Sequence, residues 1–174
     1  MRRRSLLVVL VLAVLGAAAL VVRAVAFEPA IEQPIAFNHK LHHQTNGIEC
    51  TECHLYAKDD ISATLPTAQV CGTCHDEDTL PDEPQARQQL MKVVEYIKKG
   101  KDIPWQRLYR VPEHVYFSHK RHASLAAIAC EVCHGDMGSQ TEPPPRALKA
   151  LTMNDCMECH RQREVSNDCI LCHK

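Results

Sequence analysis

The sequence predicts a mostly α-helical and irregular fold with little regular secondary structure, preceded by an N-terminal hydrophobic helix. Three observations support this. All ten cysteines fall in five copies of Cys-x-x-Cys-His. The chain contains only three Phe and one Trp, so its side chains alone can build only a thin core. Residues 82–100 form the clearest amphipathic stretch, with apolar residues repeating at helical spacing.

The five motifs indicate covalently attached haem. Two thiols on one short turn can reach the two vinyl groups of a porphyrin, and the histidine that follows lies under the ring as the proximal iron ligand. A zinc ribbon would leave the trailing histidines unexplained, and a disulfide scaffold would space its cysteines irregularly. We therefore expect five covalently attached haem c groups, whose surfaces fill the interior. The predicted binding residues are Cys50, Cys53, His54, Cys71, Cys74, His75, Cys130, Cys133, His134, Cys156, Cys159, His160, Cys169, Cys172 and His173.

Histidines outside the motifs are candidate distal ligands. Of the eleven histidines, five lie in the motifs and six lie just upstream of the motif groups. His43 aligns with Ala123 in an internal repeat, so we take it as the spare. One methionine-ligated or open iron is the alternative, with Met137, Met153 and Met157 as candidates. The predicted distal ligands are His39, His42, His114, His119 and His122.

An internal repeat divides the chain into two modules. Phe-x-His-x-x-His occurs at residues 37–42 and again at residues 117–122, and the following motifs share the same offset of 80 residues. We expect a first haem module at residues 27–80 with two haems and a second at residues 113–174 with three. Residues 81–112 form a linking helix and connector, with Asp82 as cap, Pro84 in the first turn and Gly100 at the end.

The N-terminal segment, residues 1–26, is a membrane anchor or a secretory signal. Three arginines precede seventeen uncharged, mostly apolar residues at positions 6–22. An Ala-x-Ala sequence at residues 24–26 fits signal cleavage, whereas Arg23 and the length of the apolar run favour an uncleaved anchor. Either segment implies export. We expect the protein at the bacterial inner membrane with its haem domain in the periplasm; the alternative is a soluble periplasmic protein.

The charge balance argues against nucleic acid as a partner. The net charge is −1, but the first 26 residues hold four of the 20 basic residues and no acidic one, which leaves 16 bases against 21 acids. Nucleic-acid binding requires a basic face. Redox proteins that are recognised partly through complementary charge are the expected partners.

The Phe-x-His-x-x-His segment followed by Cys-x-x-Cys-His resembles the class III multihaem cytochromes c. The resemblance implies a haem-packed multihaem cytochrome c fold, in which His39 and His119 serve the first and third haems. His42 and His122 then serve other haems in their own modules. In its N-terminal segment, motif number, residues 105–122 and closing motif pair, the chain is also similar to the pentahaem cytochrome subunit of alternative complex III. Related subunits occur in menaquinone-reductase and molybdopterin-oxidoreductase complexes.

This resemblance implies electron transfer without enzymatic activity of its own, in a quinol-linked respiratory or photosynthetic complex. The implied partners are iron–sulfur or molybdopterin-like subunits and quinol-binding membrane subunits. One alternative is a soluble periplasmic electron shuttle to a terminal reductase. Another is a multihaem reductase, which would need an open iron site and nearby acid or base groups. The supply of distal histidines argues against such open sites.

Overall fold

A computed structural model describes residues 10–17 and 30–174. Residues 10–17 are helical (α1), and their leucine and valine side chains are exposed. No helix within these two ranges is long and apolar enough to cross a membrane. The rest of the predicted N-terminal hydrophobic helix, at residues 6–9 and 18–22, lies outside the described residues.

Short helices and irregular segments make up residues 31–174, which form one compact unit. The α-helices are α2 (Cys50–Cys53), α3 (Ala68–Cys71), α4 (Pro84–Lys99), α5 (Cys130–His134), α6 (Met153–Gln162) and α7 (Cys169–Cys172). Two π-helical turns, π1 (Leu41–Thr45) and π2 (Lys120–Leu125), and a 3₁₀ turn (Met137–Ser139) complete the set. The described ranges contain no β-strand beyond one antiparallel bridge between Val115 and His173. The predicted mostly α-helical and irregular class is confirmed.

Helix α4 is the linking helix predicted from the apolar spacing. The Glu83 carboxylate accepts hydrogen bonds from the N–H groups of Gln85 and Ala86, so Glu83 and not the predicted Asp82 caps the helix. Pro84 occupies the first turn, where a missing N–H costs nothing. At the other end Gly100 adopts a left-handed conformation with φ of 58°.

The hydrophobic core is thin, as the composition predicts. Ile35, Ala68, Val93 and Ile103 are buried together, and Trp105 packs against them. The indole N–H of Trp105 donates to the carbonyl of Pro66 over 2.9 Å. Among the described residues no large side chain is completely buried. This small cluster joins α4 and the connector to the first module.

Replacing Gly100 by alanine tests the end of α4. An L-residue other than glycine pays about 1 kcal/mol for the left-handed conformation, although a Cβ at this position would meet no atom within 4 Å. We expect Gly100→Ala to lower the urea midpoint of unfolding. Gly100→Asn is the matched control, because asparagine tolerates this conformation, and it should lower the midpoint less. Equal midpoints for wild type and Gly100→Ala would contradict the assignment.

Candidate haem sites

Each attachment motif forms a helical turn. In the first, second and fifth motifs the histidine N–H donates to the carbonyl of the first cysteine, over 2.9 Å for His54, 3.0 Å for His75 and 2.9 Å for His173. The third and fourth motifs lie within α5 and α6. Residues three apart on a helical turn share a face, so both thiols of a motif point to the same side. This arrangement presents two thiols and an imidazole to one ligand.

None of the ten cysteines, all of which lie within residues 30–174, forms a disulfide. A paired but unbridged set of thiols is what covalent attachment to two vinyl groups requires.

Four of the motif histidines face a histidine from an upstream segment. The ring centroids are 6.1 Å apart for His42 and His75, 6.3 Å for His119 and His134, 6.1 Å for His122 and His160, and 5.6 Å for His114 and His173. Each pair therefore brings one predicted distal ligand to one predicted proximal ligand.

The remaining motif histidine, His54, lies near His39. Burial, together with the neighbouring His54, His42 and His43, lowers the pKa of His39 to about 4. His39 is thus neutral at physiological pH, and only a neutral imidazole can bind a metal ion.

These spacings fit a haem iron between two imidazoles. Two imidazoles on opposite sides of one metal ion have centroids about 6 Å apart, because each metal–nitrogen bond is about 2 Å long and each centroid lies about 1 Å behind its nitrogen. The four measured spacings fall near this value. The residues present therefore fit haem with two axial histidines.

The pair formed by His114 and His173 is built by backbone pairing. The Tyr116 N–H donates to the Cys172 carbonyl over 2.7 Å, and the Lys174 N–H donates to the His114 carbonyl over 2.9 Å. Together with the bridge at Val115 these bonds hold the start of the second module against the C-terminus.

Backbone carbonyls orient several of the histidines through Nδ1. An Nδ1–H bonded to a carbonyl leaves Nε2 free to bind a metal ion and fixes the orientation of the ring. Among the predicted iron ligands such carbonyls lie 2.8 to 3.1 Å from Nδ1 in five cases: Asn38 for His42, Thr64 for His54, Ile61 for His119, Ser118 for His122 and Ser166 for His160. By contrast, Nδ1 of His39 and Nδ1 of His75 are buried without a partner.

Two phenylalanines position the distal histidines, a role that the sequence analysis missed. The Phe37 ring meets the edge of His39 at 4.8 Å and stacks on His42 at 4.4 Å. In the second module Phe117 meets His119 at 4.9 Å and His122 at 4.8 Å in the same way. The presence of Phe at the same position in both copies of the repeat could have indicated this role from the sequence.

His43 takes a different position. Its Nδ1 lies 2.9 Å from the carbonyl of Ile48, and its ring lies against Gly138 of the second module. It belongs to none of the four ring pairs. Its assignment as the spare histidine stays a prediction.

Comparison with known proteins identifies the family. Residues 19–103 match the class III cytochrome C family, and residues 115–174 match cytochrome c7 and related cytochrome c. The multihaem cytochrome c subunit of menaquinone reductase from Nitratidesulfovibrio vulgaris is 32% identical over 166 residues, covering 82% of this chain and 77% of the relative. The chain is a multihaem cytochrome c of the class III and c7 type. In this family the haem is attached covalently, as the motifs predicted.

The boundary between the two family matches falls close to the end of the connector. The class III match ends at residue 103 and the c7 match begins at residue 115, on either side of Tyr109. Tyr109 packs edge-on against His134 with ring centroids 4.5 Å apart, and its hydroxyl donates to the His134 carbonyl over 3.1 Å. The connector thereby supports the proximal histidine of the third motif.

Tyr109→Phe tests this support. The ring contact with His134 remains, but two hydrogen bonds are lost: the one donated to the His134 carbonyl and the one accepted from the Lys149 N–H over 3.4 Å. We therefore expect a stability loss of about 1–2 kcal/mol. We also expect a small shift in the electron paramagnetic resonance signal of the third haem. Tyr109→Ala removes both contacts and should shift the signal further. An unchanged signal in Tyr109→Ala would show that the ring does not orient His134.

Proposed function

We propose that the cytochrome carries five haems, each with two axial histidines, and conducts electrons for a quinol-linked complex at the periplasmic face of the inner membrane. The observation that carries the proposal is the juxtaposition of histidines, since four pairs are spaced for an iron between them and His39 lies near His54. Two protein ligands on every iron leave no coordination site for a substrate. That arrangement suits electron transfer and disfavours a multihaem reductase.

Each residue has a defined role in this proposal. When bound, haem supplies a reversible one-electron couple of iron. The cysteines hold the group in place, and Phe37, Phe117 and the backbone carbonyls orient the imidazoles. The proposed axial pairs are His39 with His54, His42 with His75, His119 with His134, His122 with His160 and His114 with His173.

The proposed assembly rests on the relative. The N. vulgaris protein is named as a subunit of menaquinone reductase. We infer by homology that this cytochrome also works with membrane subunits that handle a quinol, as in alternative complex III or a menaquinone-reductase-type complex. The apolar N-terminal segment with its preceding arginines supports an anchor in the inner membrane and a periplasmic haem domain.

The adjacent histidines His42 and His43 provide a matched test of the ligand assignment. His42→Ala should open the second haem iron, which then becomes high-spin and binds carbon monoxide. His43→Ala should leave the spectrum low-spin, with no more carbon monoxide bound than in wild type. Visible spectra of the reduced proteins with and without carbon monoxide measure both effects. The reverse result would make His43 the ligand.

Fractionation of native membranes tests the assembly. After solubilisation in mild detergent, we expect a haem-stained band of full-length mass that elutes with a large complex. Intact mass should exceed that of the polypeptide by five haems. A soluble protein shortened by about 26 residues, as signal cleavage would produce, would instead establish a periplasmic shuttle.

A further inference from the structure

The two modules contact each other through a reciprocal pair of backbone hydrogen bonds. The Lys40 N–H donates to the Gln140 carbonyl, and the Lys120 N–H donates to the Asp60 carbonyl, each over 2.9 Å. Both the donors and the acceptors differ by 80 residues, the offset of the sequence repeat. Each module therefore uses the same two positions to bind the other, as the subunits of a two-fold dimer do.

One side of this junction reaches a predicted iron ligand. The Ile61 carbonyl accepts from the backbone N–H of His119 over 2.9 Å and lies 3.1 Å from its Nδ1. The Ala63 N–H also lies 3.2 Å from Nδ1, but it can donate only to the tautomer that carries its hydrogen on Nε2. Binding of a metal ion at Nε2 leaves the hydrogen on Nδ1 and selects the bond to Ile61. A loop of the first module thus orients a histidine of the second.

The same loop also contacts the first attachment motif. The Thr64 carbonyl lies 2.9 Å from Nδ1 of His54, the histidine of the first motif, only three residues beyond the Ile61 carbonyl that contacts His119. His119 in turn faces His134 of the third motif, with ring centroids 6.3 Å apart. One loop of the first module therefore contacts predicted iron ligands of both the first and the third haem, although the two motifs are far apart in the sequence.

We propose that the first and third haem sites form one coupled junction between the modules, in which the loop at residues 60–63 positions His119. This inference rests on the proposed function, because it requires haem at both motifs. The junction is where an electron passes from one half of the cytochrome to the other. Ile61 and its neighbours are positioning residues, since they act on the iron only through His119.

Gly138 offers a way to open the junction without changing a proposed ligand. A Cβ added at Gly138 would lie 2.6 Å from Cδ2 of His43, a distance that forces a displacement. His43 cannot easily turn away, because its Nδ1 is held by the Ile48 carbonyl over 2.9 Å. Gly138→Ala should therefore separate the two modules at this contact. The double variant Gly138→Ala, His43→Ala removes the His43 ring, so the two modules should again make contact as they do in wild type.

Amide hydrogen exchange of the haem-loaded protein measures the contact directly. In Gly138→Ala we expect the amides of Lys40 and Lys120 to exchange at least about tenfold faster than in wild type, because the junction opens more often. The Ile128 amide is the matched control, since it donates to the His122 carbonyl within one module over 3.0 Å and should be unaffected. The double variant should return to the wild-type exchange rate.

Electron paramagnetic resonance of the fully oxidised protein measures the coupling. In wild type we expect the signals of two of the five ferric irons to be split or lost through spin coupling. Those signals should recover their uncoupled form in Gly138→Ala and couple again in the double variant. His43→Ala alone should resemble wild type, which shows that the effect comes from the displacement.

Either of two outcomes would contradict the proposed coupling between the first and third haem sites. One is a wild-type spectrum in which all five irons give independent signals. The other is a Gly138→Ala protein whose exchange rates and coupling match those of wild type. Intact mass on the same samples separates this failure from that of the proposed function. Fewer than five attached haems would refute the five-haem proposal, whereas five haems without coupling would refute only the junction.

Discussion

The approach of four of the five motif histidines to a histidine from an upstream segment is the constraint on which the rest of the structure depends. Cys-x-x-Cys-His can form its turn anywhere, as the five short helical turns show. A second imidazole about 6 Å away, however, requires the intervening chain to fold back. His42 and His75 are joined across the first module, and His114 and His173 bring the start of the second module to the C-terminus. The path of the polypeptide follows from these pairings.

This constraint explains why the fold needs so little core of its own. The buried apolar cluster around Ile35 and Val93 is small, and it supports only the first module and the connector. Elsewhere the ordered contacts gather around the histidines: a phenylalanine beside each distal pair and carbonyls at Nδ1. Metal binding couples to folding where the site is absent from the unfolded chain. Haem attachment and folding should be coupled here for the same reason.

The repeat accounts for much of the architecture, and its asymmetries account for the rest. Phe37 and Phe117 make the same two contacts, and the backbone bonds between the modules are exchanged symmetrically. Yet Nδ1 of His119 is bonded to Ile61, whereas Nδ1 of its counterpart His39 is buried without a partner. A bonded Nδ1–H raises the basicity of a ligand. Two equivalent positions can therefore give their irons different potentials.

Sequence alone determined the chemistry of the cytochrome, because covalent attachment depends on residues adjacent in the chain. The five motifs, the repeat and the amphipathic spacing of α4 are patterns of residues close together in the chain, so they could be recognised in the sequence. The cap of α4 was assigned wrongly to Asp82, since Asp82 and Glu83 are both acidic and only the observed start at Pro84 decides between them. The class III resemblance assigned His39 and His119 to the first and third haems. Only the tertiary structure showed which motif histidines His42, His122 and His114 face, and that the loop after the first motif contacts His119. Such contacts join residues far apart in the chain, and no spacing rule encodes the path that brings them together.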